Sequence, residues 1–214
     1  MTLEPLTPQR RRAMTRQHRL DAAEIVFTRN GFHGSSLDEV AATAGFTKGA
    51  VYSNFKSKDD LFLALLDDRE ERQAAAVREE LAQGPKPRTE ALPRVRELIS
   101  EGWSGDWAVL YLEFVLYAAR NPEARRKLAA QARRVHQTVE HMLDREYDRA
   151  GTRPPFETSL LATMAIALFN GLGTDHIVDP EGITQATLDA ILDFMYATIG
   201  VDAEGSPPPG EGAR

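Results

Sequence analysis

Residues 36–55 read SLDEVAATAGFTKGAVYSNF. Ser36 followed three residues later by Glu39 is a capping box: the serine oxygen accepts from the third backbone N–H while the glutamate reaches back. Leu37, Val40, Ala41 and Ala44 then fall at i, i+3, i+4 and i+7, one apolar stripe on a short helix. Gly45 ends that helix and Thr47 is placed to cap the next. At about 100° per residue, Val51 and Phe55 share the inward side of this second helix. Gly49 and Ser53 point nearly opposite, with Ala50 close to them and Lys48, Tyr52 and Asn54 on the shoulders. Two short helices joined by a tight glycine turn form a helix-turn-helix, whose second helix enters a DNA major groove.

The outward face predicted for the second helix is small at its centre and free of carboxylates, which would repel a phosphate backbone. Gly49 sacrifices up to about 1 kcal/mol of helix propensity relative to alanine, a loss that close approach to base edges would justify. Lys48 at the helix tip has the reach for a guanine edge or a phosphate. Tyr52, Ser53 and Asn54 offer donors to phosphate oxygens, which position a helix without reading sequence.

Charge around this stretch departs from the rest of the chain. The 214 residues carry a net charge of −6. Residues 8–58 nevertheless hold nine Lys/Arg against four acids, a local +5 that leaves −11 elsewhere. A basic segment on an acidic body points to a polyanion contact at that segment. Arg10 to Arg12 form either a basic arm or a solvated tail.

Composition is that of a globular protein, 42% hydrophobic and 27% charged. There is no cysteine, which excludes a disulfide framework and cysteine-ligated metal chemistry and suits a reducing cytoplasm. The N-terminal arginines are followed by no apolar run, so no secretory signal is expected. The longest apolar stretch, Leu160 to Leu172, is short for a bilayer and contains Asn170, so no membrane association is expected.

Outward from the motif the chain reads as all-α. No period-two alternation and no hairpin dipeptide between β-branched runs is found. A first helix is predicted from near Pro8 to Arg29, burying Leu20, Ala23 and Phe27 and stopped by the Asn30-Gly31 pair. The helix after the motif starts near Ser57, turns Leu61, Phe62, Leu65 and Leu66 inward, and continues to about Gln83. Further helices are predicted at about 89–103, from Trp107 to Arg120, from Pro122 (capped by Asn121) to about Arg149, over 156–178, and over about 184–199. The 156–178 helix is apolar nearly all round and is expected to be buried on most sides. The last carries Leu188, Ile191, Leu192, Met195 and Ile199 on one stripe. The tail from about 203 to 214, rich in proline and glycine, is expected to be disordered.

Residues 19–66, RLDAAEIVFTRNGFHGSSLDEVAATAGFTKGAVYSNFKSKDDLFLALL, resemble the N-terminal domain of the tetracycline-repressor (TetR) family of bacterial transcription regulators. The resemblance covers about residues 12–70 and is strongest over AGFTKGAVYSNFKSKDDL. It implies a nine-helix subunit. Residues 12–72 would form a three-helix DNA-binding domain, and residues 73–202 a helical domain for ligand binding and dimerisation. It also implies that Thr47, Lys48 and Gly49, with Ala50 beside them, sit at the bases. Ser36, Tyr52, Ser53, Asn54 and Lys58 would hold phosphates. The family often has an aromatic residue or histidine where this chain has Ser53 and Asn54, which implies a different operator preference.

The partners implied are a double-stranded palindromic DNA operator, a small-molecule inducer of unknown identity, and a second copy of the chain docked through the last two helices. Trp103, Trp107, Tyr111, Phe114 and Tyr117 lie where the family places its ligand pocket. An aromatic stripe at helical spacing is more often core than ligand box. His136, Met164, Phe169 and Asn170 are further candidates. An enzyme is not expected, and neither is a cofactor or metal. His136 and His141 are five apart and do not share a helical face, and no glycine-rich phosphate loop, nucleophile elbow or triad is found. A DNA-binding module without a ligand response is the other alternative.

Overall fold

The computed structural model describes residues 7–82, 105–184 and 186, 187, 190, 191 and 194. The helix expected at 89–103, Trp103, the tail and the side chains of Arg10 to Arg12 lie outside the described residues. So does most of the expected last helix, although Ala186, Thr187, Ala190, Ile191 and Phe194 are helical. Every described element is an α-helix: α1 (Pro8–Gly34), α2 (Leu37–Thr43), α3 (Lys48–Tyr52), α4 (Lys58–Ala82), α5 (Gly105–Arg120), α6 (Pro122–Ala150) and α7 (Thr158–Val178). The chain divides into two compact units. One holds the described residues of Met1–Arg69 with Val109–Leu128, the other those of Glu70–Ala108 and Ala129–Arg214.

In the first unit the anticipated apolar positions are buried. Leu20, Ala23, Val26 and Phe27 of α1 pack with Leu37, Val40 and Ala41 of α2, Val51 of α3, Phe55, and Leu61, Phe62, Leu65 and Leu66 of α4. The helix ends follow local chemistry. Ser36 Oγ accepts from Glu39 N at 3.2 Å and Glu39 Oε2 accepts from Ser36 N at 2.9 Å, closing the capping box. Gly45 turns the chain with φ 66°, a conformation that disfavours side chains. Asn121 Oδ1 caps α6 by accepting from Glu123 N and Ala124 N at 3.0 and 3.2 Å.

The end of α1 differs from the expectation. The helix does not stop at Arg29; it kinks at Gly31 (φ 71°, ψ 170°) and resumes to Gly34. Glu113 of α5 explains the kink: its carboxylate accepts from Phe32 N at 2.7 Å, satisfying a donor that the broken helix leaves without a partner. A Cβ on Gly31 would lie 2.8 Å from Glu113 Oε2 and would displace that carboxylate, and the φ of 71° itself disfavours a side chain.

Phe114 and Tyr117 also serve this unit. Phe114 is fully buried, with its ring 4.9 Å from that of Phe32 and 4.3 Å from that of Phe62. Tyr117 lies 4.9 Å from the Phe32 ring and donates to Asp59 Oδ2 at 3.1 Å. Lys127 Nζ pairs with Asp60 Oδ1 at 2.8 Å. Phe114 is thus core against α1 and α4, and the half-buried Tyr117 packs beside it.

In the second unit α6 ends with Thr152 N donating to Tyr147 O at 3.2 Å, and Thr158 at the start of α7 donates to Asp144 Oδ1 at 2.6 Å. Helix α7 departs from expectation. Only Leu161 and Ala162 are buried, while Leu160, Met164, Leu168 and Val178 stand exposed. Its bounds lie within the expected 156–178, and by length and composition alone it is long and apolar enough to cross a membrane. An apolar helix left open in this way has no partner among the described residues of one chain for most of its surface.

Candidate nucleic-acid interface

The five-residue α3 is built by its neighbours. Thr47 caps it, its Oγ1 accepting from Ala50 N at 3.3 Å. Val51 and Phe55 anchor the inward side. The opposite side is open: Thr47, Lys48, Gly49, Tyr52, Ser53 and Asn54 are exposed and Ala50 half-buried. A Cβ built on Gly49 meets nothing within 4 Å. No neighbour inside the chain therefore requires a glycine there.

The helix is shorter than expected, ending at Tyr52. Ser53 Oγ and Asn54 Nδ2 both donate back to Ala50 O, at 3.1 and 2.9 Å. This local bonding takes the carbonyl that a further turn would have used. The two side chains are exposed yet folded onto the helix end.

Lys58 is drawn inward. Its Nζ donates to His33 O and Ser35 O at 3.1 and 3.0 Å and lies 4.6 Å from the Phe32 ring centre, so it closes the C-terminal end of α1. Burial lowers its pKa. Ser36 is exposed while its oxygen serves the capping box.

The sequence reading missed two groups. Lys56 is exposed, and its backbone N–H is hydrogen-bonded to Asp60; its place between Phe55 and Lys58 was the available signal. The other group is Asp38. The outward side of α3 is not acid-free in space, because α2 brings this carboxylate to it. Lys48 Nζ donates to Asp38 Oδ2 at 2.5 Å, and Tyr52 Oη donates to Asp38 Oδ1 at 3.4 Å. The hydrogen bond to Asp38, and then its charge, raise the Lys48 pKa.

The ligand candidates of the second unit differ in exposure. Trp107 is buried, Phe169 and Asn170 half-buried and Met164 exposed. His136 Nδ1 lies 3.4 Å from Thr163 Oγ1, and His176 Nδ1 lies 2.8 Å from Ile183 O. In the first unit Tyr111 is half-buried. A polar residue not anticipated is Gln131, 2% exposed, whose Nε2 donates to Glu70 Oε2 at 2.9 Å while its Oε1 has no hydrogen-bond partner among the described residues.

This geometry, one long helix and two short ones with the second member of the motif exposed, is accompanied by matches to known proteins. Residues 20–65 match the family model "Bacterial regulatory proteins, tetR family", and residues 87–200 match "BetI-type transcriptional repressor, C-terminal". The HTH-type transcriptional regulator AcrR of Shigella flexneri is 52% identical over 48 residues, 22% of either chain. The HTH-type transcriptional regulator BetI of Agrobacterium fabrum is 26% identical over 196 residues, covering 89% of this chain and 88% of its own. The crystal structure of a transcriptional regulator from Rhodococcus sp. Rha1 superposes with a TM-score of 0.67 at 26% identity, covering 90% of this chain and 99% of that one. The two matched regions, in head-to-tail order along one all-helical chain, identify a DNA-binding transcriptional regulator: the protein belongs to the tetR family of bacterial regulatory proteins.

Proposed function

We propose that the protein is a homodimeric repressor that holds a palindromic operator through α3 and leaves it when a small molecule binds residues 73–202. The observation that carries this reading is the outward side of α3, where Thr47, Lys48 and Gly49 stand exposed and the centre is free of bulk. A helix of this shape reaches base edges, while Tyr52 and Lys56 lie at its margin for phosphates. Ser36, Ser53, Asn54 and Lys58 act first as caps and ties, so their phosphate contacts run through the positions they hold. Dimerisation through α7 and the helix that follows it is supported by the apolar residues that α7 leaves exposed. The inducer site is assigned to the second unit, with Trp107, His136, Phe169 and Asn170 as its candidates and Gln131 as a buried acceptor for a ligand donor.

The test is a gel shift with duplexes from the protein's own upstream region. Lys48→Ala is expected to weaken operator binding by about 1–3 kcal/mol, roughly 5- to 150-fold, if it contacts a base. Unchanged affinity rejects that role. Ligands that raise the melting temperature are expected to release the DNA, and retention of the DNA with each of them would favour a regulator without a ligand response.

A further inference from the structure

Two of the donors on the outward side of α3 share one acceptor from another helix. Lys48 and Tyr52 both donate to Asp38, at 2.5 and 3.4 Å. The pair is not buried: the side chains of Lys48 and Asp38 are 69% and 42% exposed. An exposed ion pair of this kind adds little to folding stability. Its consequence is instead for what approaches the surface. A phosphate arriving at Lys48 meets the Asp38 carboxylate as well, and the two anions repel. A base edge does not impose that conflict. The major-groove edge of a G·C pair presents the guanine N7 and O6 acceptors next to the cytosine N4 donor. Lysine and aspartate side by side present a donor next to an acceptor, the complementary order.

We propose that Asp38 is a specificity-determining residue, which with Lys48 reads one G·C pair in each half-site as a unit and opposes the use of Lys48 on phosphates of unrelated DNA. The proposal rests on the reading that α3 enters the major groove. It distinguishes Asp38 from an incidental surface acid by a change in discrimination rather than in affinity alone.

Duplexes selected by the full-length wild-type protein from a randomised pool supply the operator. Affinities of wild type, Asp38→Ala and Asp38→Asn for that operator and for an unrelated duplex are then measured across a salt series. The ratio of operator to unrelated affinity is expected to fall at least about fivefold in both variants, the low end of what one good base contact discriminates. Selection with the variants is expected to lose the G·C preference at one position per half-site. Binding to the unrelated duplex is expected to gain about one unit of salt slope, as Lys48 becomes available to a phosphate. A smaller fall in the ratio, with both affinities rising in parallel, overturns the proposal, because charge removal alone does that. Loss of binding to both duplexes with the melting temperature retained also overturns it, since Asp38 would then only support α3. If the alanine variant fails to fold, the asparagine variant decides, being nearly the same shape. Wild-type protein that selects no duplex rejects the groove assignment of α3 itself, and the proposal with it.

Discussion

At the scale of single residues, Gly49 separates what the fold needs from what a partner needs. Its surroundings are open to a Cβ and its backbone is not in the left-handed region, so the chain itself gains nothing from glycine there. Gly49→Ala is expected to raise stability by up to about 1 kcal/mol in a denaturant titration, less because the site lies in a first turn. Operator affinity is expected to fall, since the added methyl stands where bases come closest. A variant that is more stable and binds equally well would show that close approach is not the reason for the glycine. Gly31 is the opposite case, required internally by φ 71° and by the Glu113 carboxylate. The sequence announced a helix stop at that glycine. It did not announce the acceptor, which comes from 81 residues away. The Asp38–Lys48 pair was hidden for a similar reason: residues ten apart meet only because the α2–α3 turn folds one onto the other.

At the scale of elements, α5 and the start of α6 are tied to the first unit by polar groups as well as aromatic rings. Asp60 has its pKa held below the ordinary 3.8, first by the hydrogen bond from Lys127 and despite desolvation that opposes it. Lys127 is raised above its ordinary 10.5 by its bonds to Asp60 and Glu123. The depressed carboxylate contributes stability above its ordinary value, and that contribution is lost as pH falls through the folded value. The raised ammonium contributes fully below 10.5 and loses its share as pH rises through its own folded value. Between roughly pH 4 and pH 10 the pair is intact, with a worth of at most about 1 kcal/mol for partners this exposed. Lys127→Met is therefore expected to lower the melting temperature at pH 7, with the gap to wild type narrowing near pH 3. An equal gap at both values would assign the effect to packing of the lysine stem. Most element boundaries were legible beforehand, because Ser36, Thr47, Ser57 and Asn121 act on backbone groups within three residues. The end of α3 was not, because Ser53 and Asn54 compete for Ala50 O in a way that periodicity does not register.

At the scale of the whole molecule, the apolar residues of α7 stand open among the described residues. Burying apolar surface returns about 25 cal/mol per Å², and a second copy offers the same face by two-fold symmetry. Leu160→Glu combined with Leu168→Glu is expected to yield monomers in analytical ultracentrifugation, with helical content retained. Operator affinity is expected to collapse with it, since the proposed mode of binding needs two copies of α3 about 34–36 Å apart to act together. Dimers that persist would place the interface elsewhere.

The sequence by itself determined the helical class, nearly all helix starts, the buried side of the first four helices and the small outward side of the recognition helix. Caps and apolar periodicity act within a few residues, so they are present in the linear order. Only the tertiary structure decided that Phe114 and Tyr117 pack beside Phe32 and Phe62, that Lys58 turns inward, and that an acid from α2 stands beside the outward side of α3. Those outcomes depend on which helix crosses which, and that choice is made by the summed packing of residues far apart in the chain.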